Sequence, residues 1–272
     1  MNDLATIDNN GLAVSHADLA TALAEEMGFG SQLGGSGFDR VKVPSGGGLM
    51  WELPGANPDD PEVVKELRGV VVDDHFISSL WLGDDGKAAA FTGGNSHPDA
   101  IWFEVRPNEI VGVLNDRARA AGCQENIDAD PFNQWGSGAN GNGKAAKQSY
   151  RLYLQRQDDI APLQITLPPA SVGNWLKFKR HIMATHKCFI PAAVVSLTLK
   201  KADSAGGVSY SQVQFNLAEK LGDEAAHANL LQREALRSVT RVVPKLDDGS
   251  ASDVAPSAVA DAIAETFDAT PL

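Results

Sequence analysis

The 272-residue chain is 43% hydrophobic and carries a formal net charge of -12. That apolar content excludes a chain disordered throughout and is enough to bury a core, so one domain with extensions is expected. The only two cysteines, Cys123 and Cys188, exclude a disulfide framework, and no apolar run approaches the roughly 20 residues of a bilayer span, so membrane roles are set aside and a soluble cytoplasmic protein is expected.

Residues 15–27 read as a short amphipathic helix, with Ser15 as cap, Asp18 at the reciprocal capping position and Leu19, Leu23 and Met27 on one face. Five glycines within residues 28–37 make a connector, so residues 1–37 are an N-terminal arm and the main domain starts at 38. Phe38, Val41, Val43, the glycine turn at 45–48 and residues 49–53 predict a strand pair, followed by a loop over 54–61. Residues 70–72 and 76–82 predict a central strand with a bend. Residues 87–130 show no clear periodicity. Leu152 and Leu154 alternate with Arg151 and Tyr153, and Leu163, Ile165 and Leu167 alternate after Asp158 and Asp159, which predicts a hairpin with one apolar and one basic, aromatic face.

Ser171 is the expected cap of a helix that turns Val172, Trp175, Leu176 and Ile182 inward. Residues 189–199 and 208–217 predict a second hairpin with a basic loop at Lys200 and Lys201, and residues 224–239 predict an amphipathic helix using Leu230, Leu231 and Leu236. Residues 257–267 read as a further short helix. The expected fold class is mainly β (α+β overall): an OB-fold-like five-stranded barrel with a helix between strands 3 and 4, plus peripheral helices. The core domain spans 38–245, and 246–272 is an acidic tail, with six acidic residues, no Lys or Arg, and an apolar tip at Phe267 and Leu272.

Charge is segregated. Between Gly143 and Lys201 stand ten basic and two acidic residues, a segment of +8 in a chain whose remainder sums to -20. Aromatic residues are interleaved, and cations beside flat rings suit a single-stranded nucleic acid, whose phosphates pair while its bases stack. The candidate phosphate contacts are Lys144, Lys147, Arg151, Arg156, Lys177, Lys179, Arg180, Lys200 and Lys201, and the stacking candidates are Trp135, Tyr150, Tyr153 and Trp175. Trp175 is the ring most expected inside the core.

Several motifs carry a family resemblance: Phe38-Asp-Arg-Val-Lys-Val-Pro-Ser-Gly-Gly-Gly, Trp51-Glu-Leu-Pro-Gly, Arg68-Gly-Val-Val-Val-Asp-Asp-His75, Asp130-Pro-Phe-Asn-Gln-Trp-Gly-Ser137, Gly143-Lys-Ala, Arg151-Leu-Tyr-Leu, Leu167-Pro-Pro-Ala-Ser171 and Val208-Ser-Tyr-Ser211. Over residues 38–217 the chain resembles a group of phage and mobile-element proteins associated with single-stranded-DNA binding and recombination. The resemblance implies a DNA-binding role in the bacterial host cytoplasm. Members of that group commonly carry cysteines that suit a structural metal site; the matching positions here hold Asp128, Asp130 and Ala146, with Cys123 nearby, so no metal and no cofactor is carried over.

Other motifs exclude more than they promise. Residues 138–144 fit the start of a phosphate-binding P-loop, but Ala145 stands where a magnesium-binding Ser or Thr belongs, and no buried strand precedes it. Asp73, Asp74 and His75 read as polar residues at the strand bend, and His181, His186 and Cys188 match no familiar zinc spacing. No nucleophile elbow is present, and no catalytic residue is expected. The expected function is therefore a non-enzymatic single-stranded-DNA-binding protein that protects DNA in replication or recombination. Its tail would compete with DNA or meet replication and recombination proteins. The alternatives are an adaptor whose basic face docks an acidic protein, and a magnesium-dependent nuclease using Asp73 and Asp74.

Overall fold

A computed structural model of the chain describes residues 6–7, 13–14, 38–55, 60–83, 85–89, 98–139, 141, 143–157, 159–204, 207–243 and 246. The helices expected at 15–27 and 257–267, the glycine connector and the tail beyond Leu246 lie outside them. Leu246 is buried against Ile77, Trp81, Ile101 and Phe103. Among the described residues, no helix is long and apolar enough to cross a membrane.

Two short ladders come first: β1 (Thr6–Ile7) pairs with β2 (Ala13–Val14), and β4 (Trp51–Leu53) with β5 (Glu62–Val64). The strand pair expected within 38–53 is not formed. Instead β3 (Arg40–Val41) runs parallel to β10 (Leu163–Leu167). Gly46 and Gly47 adopt positive φ and redirect the chain, so that Trp51 and Leu53 enter the core, where Trp51 Nε1 donates to the Leu197 carbonyl at 3.3 Å.

The bent central strand is present as β6 (Glu66–Leu80), with an irregularity between Val71 and Asp73. One edge of β6 pairs with β9 (Lys147–Gln155) over most of its length. Its other edge is shared: residues 66–70 pair with β11 (Ala193–Asp203) and residues 77–80 with β7 (Ala100–Arg106). Between those partners lies a notch at residues 71–76, whose backbone groups are met by side chains: Glu104 accepts from the Phe76 amide at 2.8 Å, and Arg241 donates to the Asp74 carbonyl at 2.6 Å. Gly69 is needed because any Cβ there would collide with the Gln155 carbonyl of β9.

The sheet runs β12 (Ser209–Lys220), β11, β6, β9, β10, β3, with β7 and β8 (Glu109–Leu114) branching from β6, and it curls into a half-barrel. Three α-helices accompany it among the described residues: α1 (Asp116–Ala120), α2 (Pro169–His186) and α3 (Asp223–Thr240). The fold is thus α+β and strand-dominated. Its concave side holds Leu67, Val71, Leu152, Leu154, Ile165, Leu167, Val195 and Leu197, sealed by Trp51, Leu53 and the Trp175, Phe178 and Ile182 face of α2.

Three expected boundaries move for local reasons. α2 starts at Pro169 with no side-chain cap, because proline suits a first helical position, and the Ser171 hydroxyl instead accepts from the Val213 amide at 3.0 Å. A 3-10 turn at Ile190–Ala192 takes the start of the strand expected from 189, and Lys200 and Lys201 pair with Gln212 and Ser211 inside β11 rather than in a loop. On α3 Leu236 and Thr240 are buried, while Leu230 and Leu231 are exposed.

Candidate nucleic-acid interface

The cations and rings singled out by sequence separate into two sets. Trp175 is 0% exposed and Tyr153 1%, so neither ring reaches a base in this conformation. Trp175 packs against Phe178 and Phe215, with ring centroids at 5.8 and 5.1 Å, and donates from Nε1 to Asp74 at 3.0 Å. Tyr153 meets Phe38 edge-on at 5.1 Å. Arg156 is held by Asp159 through bonds of 2.6 and 2.9 Å, and Lys179 by Asp74 at 2.6 Å, above the rings of Tyr150 and Trp175. Tyr150 is half-buried against Phe76, and Arg151 is half-buried as well. These six serve the fold as it stands.

The second set converges on the junction between β10 and α2. Leu167, the last residue of β10, pairs with Tyr150, so the start of β9, with Lys147 and Lys144 just before it, lies beside that junction. The start of β12 reaches it from the opposite side: Gln212 Nε2 donates to the Ala170 carbonyl at 3.0 Å, next to the Val213 and Ser171 bond. Lys200 and Lys201 sit across from Gln212 and Ser211, and the Lys201 stem lies over Gly47, where an added Cβ would come within 2.8 Å of it. Lys144 and Lys147 thus approach the junction from the β9 side, and Lys200 and Lys201 lie on the strand that pairs with β12 on the other.

Trp135 joins this group. Its ring is 51% exposed, and its loop is tied to Lys144 by the Gly136 amide, which donates to the Gly143 carbonyl at 2.8 Å. The Lys144 ammonium donates to the neutral Asn133 side chain at 3.5 Å and forms no ion pair among the described residues. Lys177, Arg180, Lys200 and Lys201 are exposed and form no ion pair among the described residues. Asp203, the acid nearest the hairpin tip, accepts from the Ser209 hydroxyl.

Among its described residues, the P-loop-like stretch turns amides onto its own carbonyls and hydroxyl. The amides of Gly138 and Gly141 donate to carbonyls within the loop, and the Ala145 amide donates to the Ser137 hydroxyl at 2.9 Å. Cys123 and Ala146 share a core cluster, and the Asp130 carboxylate accepts from the Gln124 and Phe132 amides at 2.7 and 2.8 Å. Burial, aided by Asp130 and Asp99, pushes the Cys123 thiol up to about 12. The rings of His181 and His186 lie edge to face, while the Cys188 thiol turns to the Phe189 and Ala192 carbonyls. Among the described residues no group of three or more His, Cys, Asp or Glu side chains could hold a metal ion.

What sequence reasoning missed is a buried ion network at the β6 notch. Asp73 accepts from Arg241 at 2.9 and 3.0 Å and from the Thr240 hydroxyl at 2.9 Å, and Arg237 stands 3.7 Å away. Asp74 accepts from Arg233 at 3.2 Å in addition to Trp175 and Lys179. Burial opposes ionisation of Asp73, but the hydrogen bonds and charge of Arg241 outweigh it and hold the carboxyl well below the usual range. Burial pushes the adjacent His75 imidazole down to about 4, leaving it neutral near pH 7. Four cations, Lys179, Arg233, Arg237 and Arg241, thus occupy the acids that a nuclease would offer to magnesium.

No family model, no curated protein and no solved structure matches this chain.

Proposed function

We propose that this chain is a non-enzymatic single-stranded-DNA-binding protein of a phage or similar element, protecting single strands in replication or recombination. The observation that carries the reading is the strand path. With β3 and the β7–β8 branch set aside, β6, β9 and β10 follow one another along the chain, then α2, β11 and β12, and the spatial order is β12, β11, β6, β9, β10. We read this order as that of a partly open oligonucleotide-binding barrel, in which the connection between the first two strands and the one between the last two contact the ligand. Trp135 and Lys144 stand on the first of these connections. Lys200 and Lys201 flank the second. The helix α2 takes the place of strand closure by capping the Val213 edge of β12, where Asn174 donates to the Val213 carbonyl at 2.9 Å.

In this reading Lys144, Lys147, Lys200 and Lys201 pair with phosphates around the β10–α2 junction, Trp135 stacks on a base, and Lys177 and Arg180 extend the track along α2. The test is fluorescence anisotropy of labelled oligo-dT across a series of salt concentrations, with duplex DNA as competitor. The wild type is expected to prefer the single strand and to weaken log-linearly with salt. Replacing the four lysines with alanine is expected to reduce the salt slope by about 3, at roughly 0.7 per single-strand phosphate contact. Absence of binding to any DNA would assign the basic face to an acidic protein partner instead.

A further inference from the structure

We propose that the single strand, after leaving the β10–α2 junction, follows the outer face of α2 to its far end, where Phe189 is a second base-stacking platform and Lys187 its phosphate contact. This rests on the single-strand-binding reading above.

Trp175, Phe178 and Ile182 turn one face of α2 into the core. At 100° per residue, Lys177, Arg180 and Ala184 project from the opposite face, and all three are exposed. Lys187, also exposed, follows at the end of the helix. α2 starts at the junction, and its 18 residues carry the chain roughly 27 Å away from it.

The charge on this face has one sign. From Ile160 to Ala202 the sequence holds six Lys and Arg and no Asp or Glu, in a chain with 35 acids and 23 bases. An exposed helix face in so acidic a protein is expected to mix both signs, because opposite charges three or four residues apart stabilise it. On α2 and its cap only Lys179 is taken by an acid, Asp74, at 2.6 Å. Lys177, Arg180 and Lys187 form no ion pair among the described residues. The acids that come next around this end, Asp223 and Glu224, form the first turn of α3, where they complement the positive end of that helix.

The far end of the helix is built unusually. Lys187 closes α2 in the left-handed conformation, at φ 49° and ψ 43°, a position that helices usually give to glycine. A lysine is thus kept where the backbone disfavours a side chain. Cys188 is buried, so Lys187 and Phe189 on either side of it emerge toward solvent. Phe189 is 69% exposed, the most exposed aromatic side chain among the described residues, although Ile190 and Pro191 beside it are buried. A bare ring next to an unpaired cation, at the end of a one-signed track, is the combination that binds successive bases and phosphates of a single strand.

The test is anisotropy of full-length protein with a labelled oligo-dT of about 6 nucleotides and one of about 24, which bracket the site sizes of such folds. At 3.4 Å per stacked nucleotide, α2 corresponds to about eight nucleotides, so only the longer strand spans the junction and Phe189 together. Phe189→Ala is expected to weaken the longer strand about tenfold and to leave the shorter one unchanged. Phe189→Leu is expected to behave like Phe189→Ala, because it keeps an apolar contact but not the ring. Lys187→Ala is expected to lower the salt slope by about 0.7 for the longer strand alone. Equal losses on both lengths, or an unchanged longer strand, overturn the proposal. Full affinity in Phe189→Leu with loss in Phe189→Ala also overturns it, and assigns the side chain to an apolar contact between neighbouring proteins. The wild type gives an answer that does not depend on any variant folding. If it binds neither strand, the single-strand reading falls and the track with it; if it binds both with equal affinity, the reading stands and the track alone falls.

Discussion

Replacing Asp73 with alanine is expected to lower the unfolding free energy by about 3–5 kcal/mol, the range for removing one partner of a buried ion pair. Arg241, whose side chain is only 6% exposed, would keep its charge without a carboxylate, and Thr240 would lose its acceptor. Urea unfolding of the single variant, of Arg241→Met and of D73A/R241M forms a cycle. The double variant is expected to recover much of the loss, because a neutral pair removes the uncompensated charge. A cost below about 1 kcal/mol for Asp73→Ala would mean that the network behaves like an exposed one.

The same network sets how stability depends on pH. The folded-state value of Asp73 lies below its unfolded value, so its contribution is fully present above about pH 4 and is lost as pH falls through the folded value. His75 acts earlier. Its folded value is depressed to about 4, so between about pH 6.5 and 4 the unfolded chain binds a proton that the folded chain does not, and stability falls as the solution is acidified. Urea midpoints at pH 7, 5 and 3 should decline over both steps, and His75→Phe should flatten the first while leaving the second.

Elements governed by local alternation were legible from sequence. Leu152 and Leu154 against Arg151 and Tyr153 announced β9, and the bend in β6 was readable from three polar residues between two apolar runs. The β7–β8 hairpin was not, because Ile101, Trp102 and Phe103 are all buried, which erases the period of two. Its turn was nonetheless present: Pro107 and Asn108 separate two apolar runs, and Asn108 takes positive φ. The charges mislead for a different reason. Arg156 is neutralised by Asp159, three residues away, which sequence can show, whereas Lys179 and Arg241 are taken by acids 105 and 168 residues earlier. Which cations remain for a ligand is thus a property of long-range pairing. The same pairing explains α3, whose leucines at 230 and 231 point out because its arginines are drawn to Asp73 and Asp74.

Two tryptophans separate folding from binding. Trp175→Ala is expected to destabilise the protein by about 3–5 kcal/mol, as truncation of a fully buried ring leaves a cavity and deprives Asp74 of a donor. Trp175→Phe retains the ring contacts with Phe178 and Phe215 and should lose mainly the hydrogen bond, about 1–3 kcal/mol. Trp135→Ala is expected to leave stability within about 0.5 kcal/mol of wild type, because its half-exposed ring contributes little to the core. Its affinity for oligo-dT should nevertheless fall by about 1–3 kcal/mol, roughly 5- to 150-fold, the contribution of one stacked base. Urea melts and anisotropy titrations of the same three preparations separate these effects. Unchanged oligo-dT affinity for Trp135→Ala would remove the connection between β6 and β9 from the interface and leave the lysines of β11 as its centre.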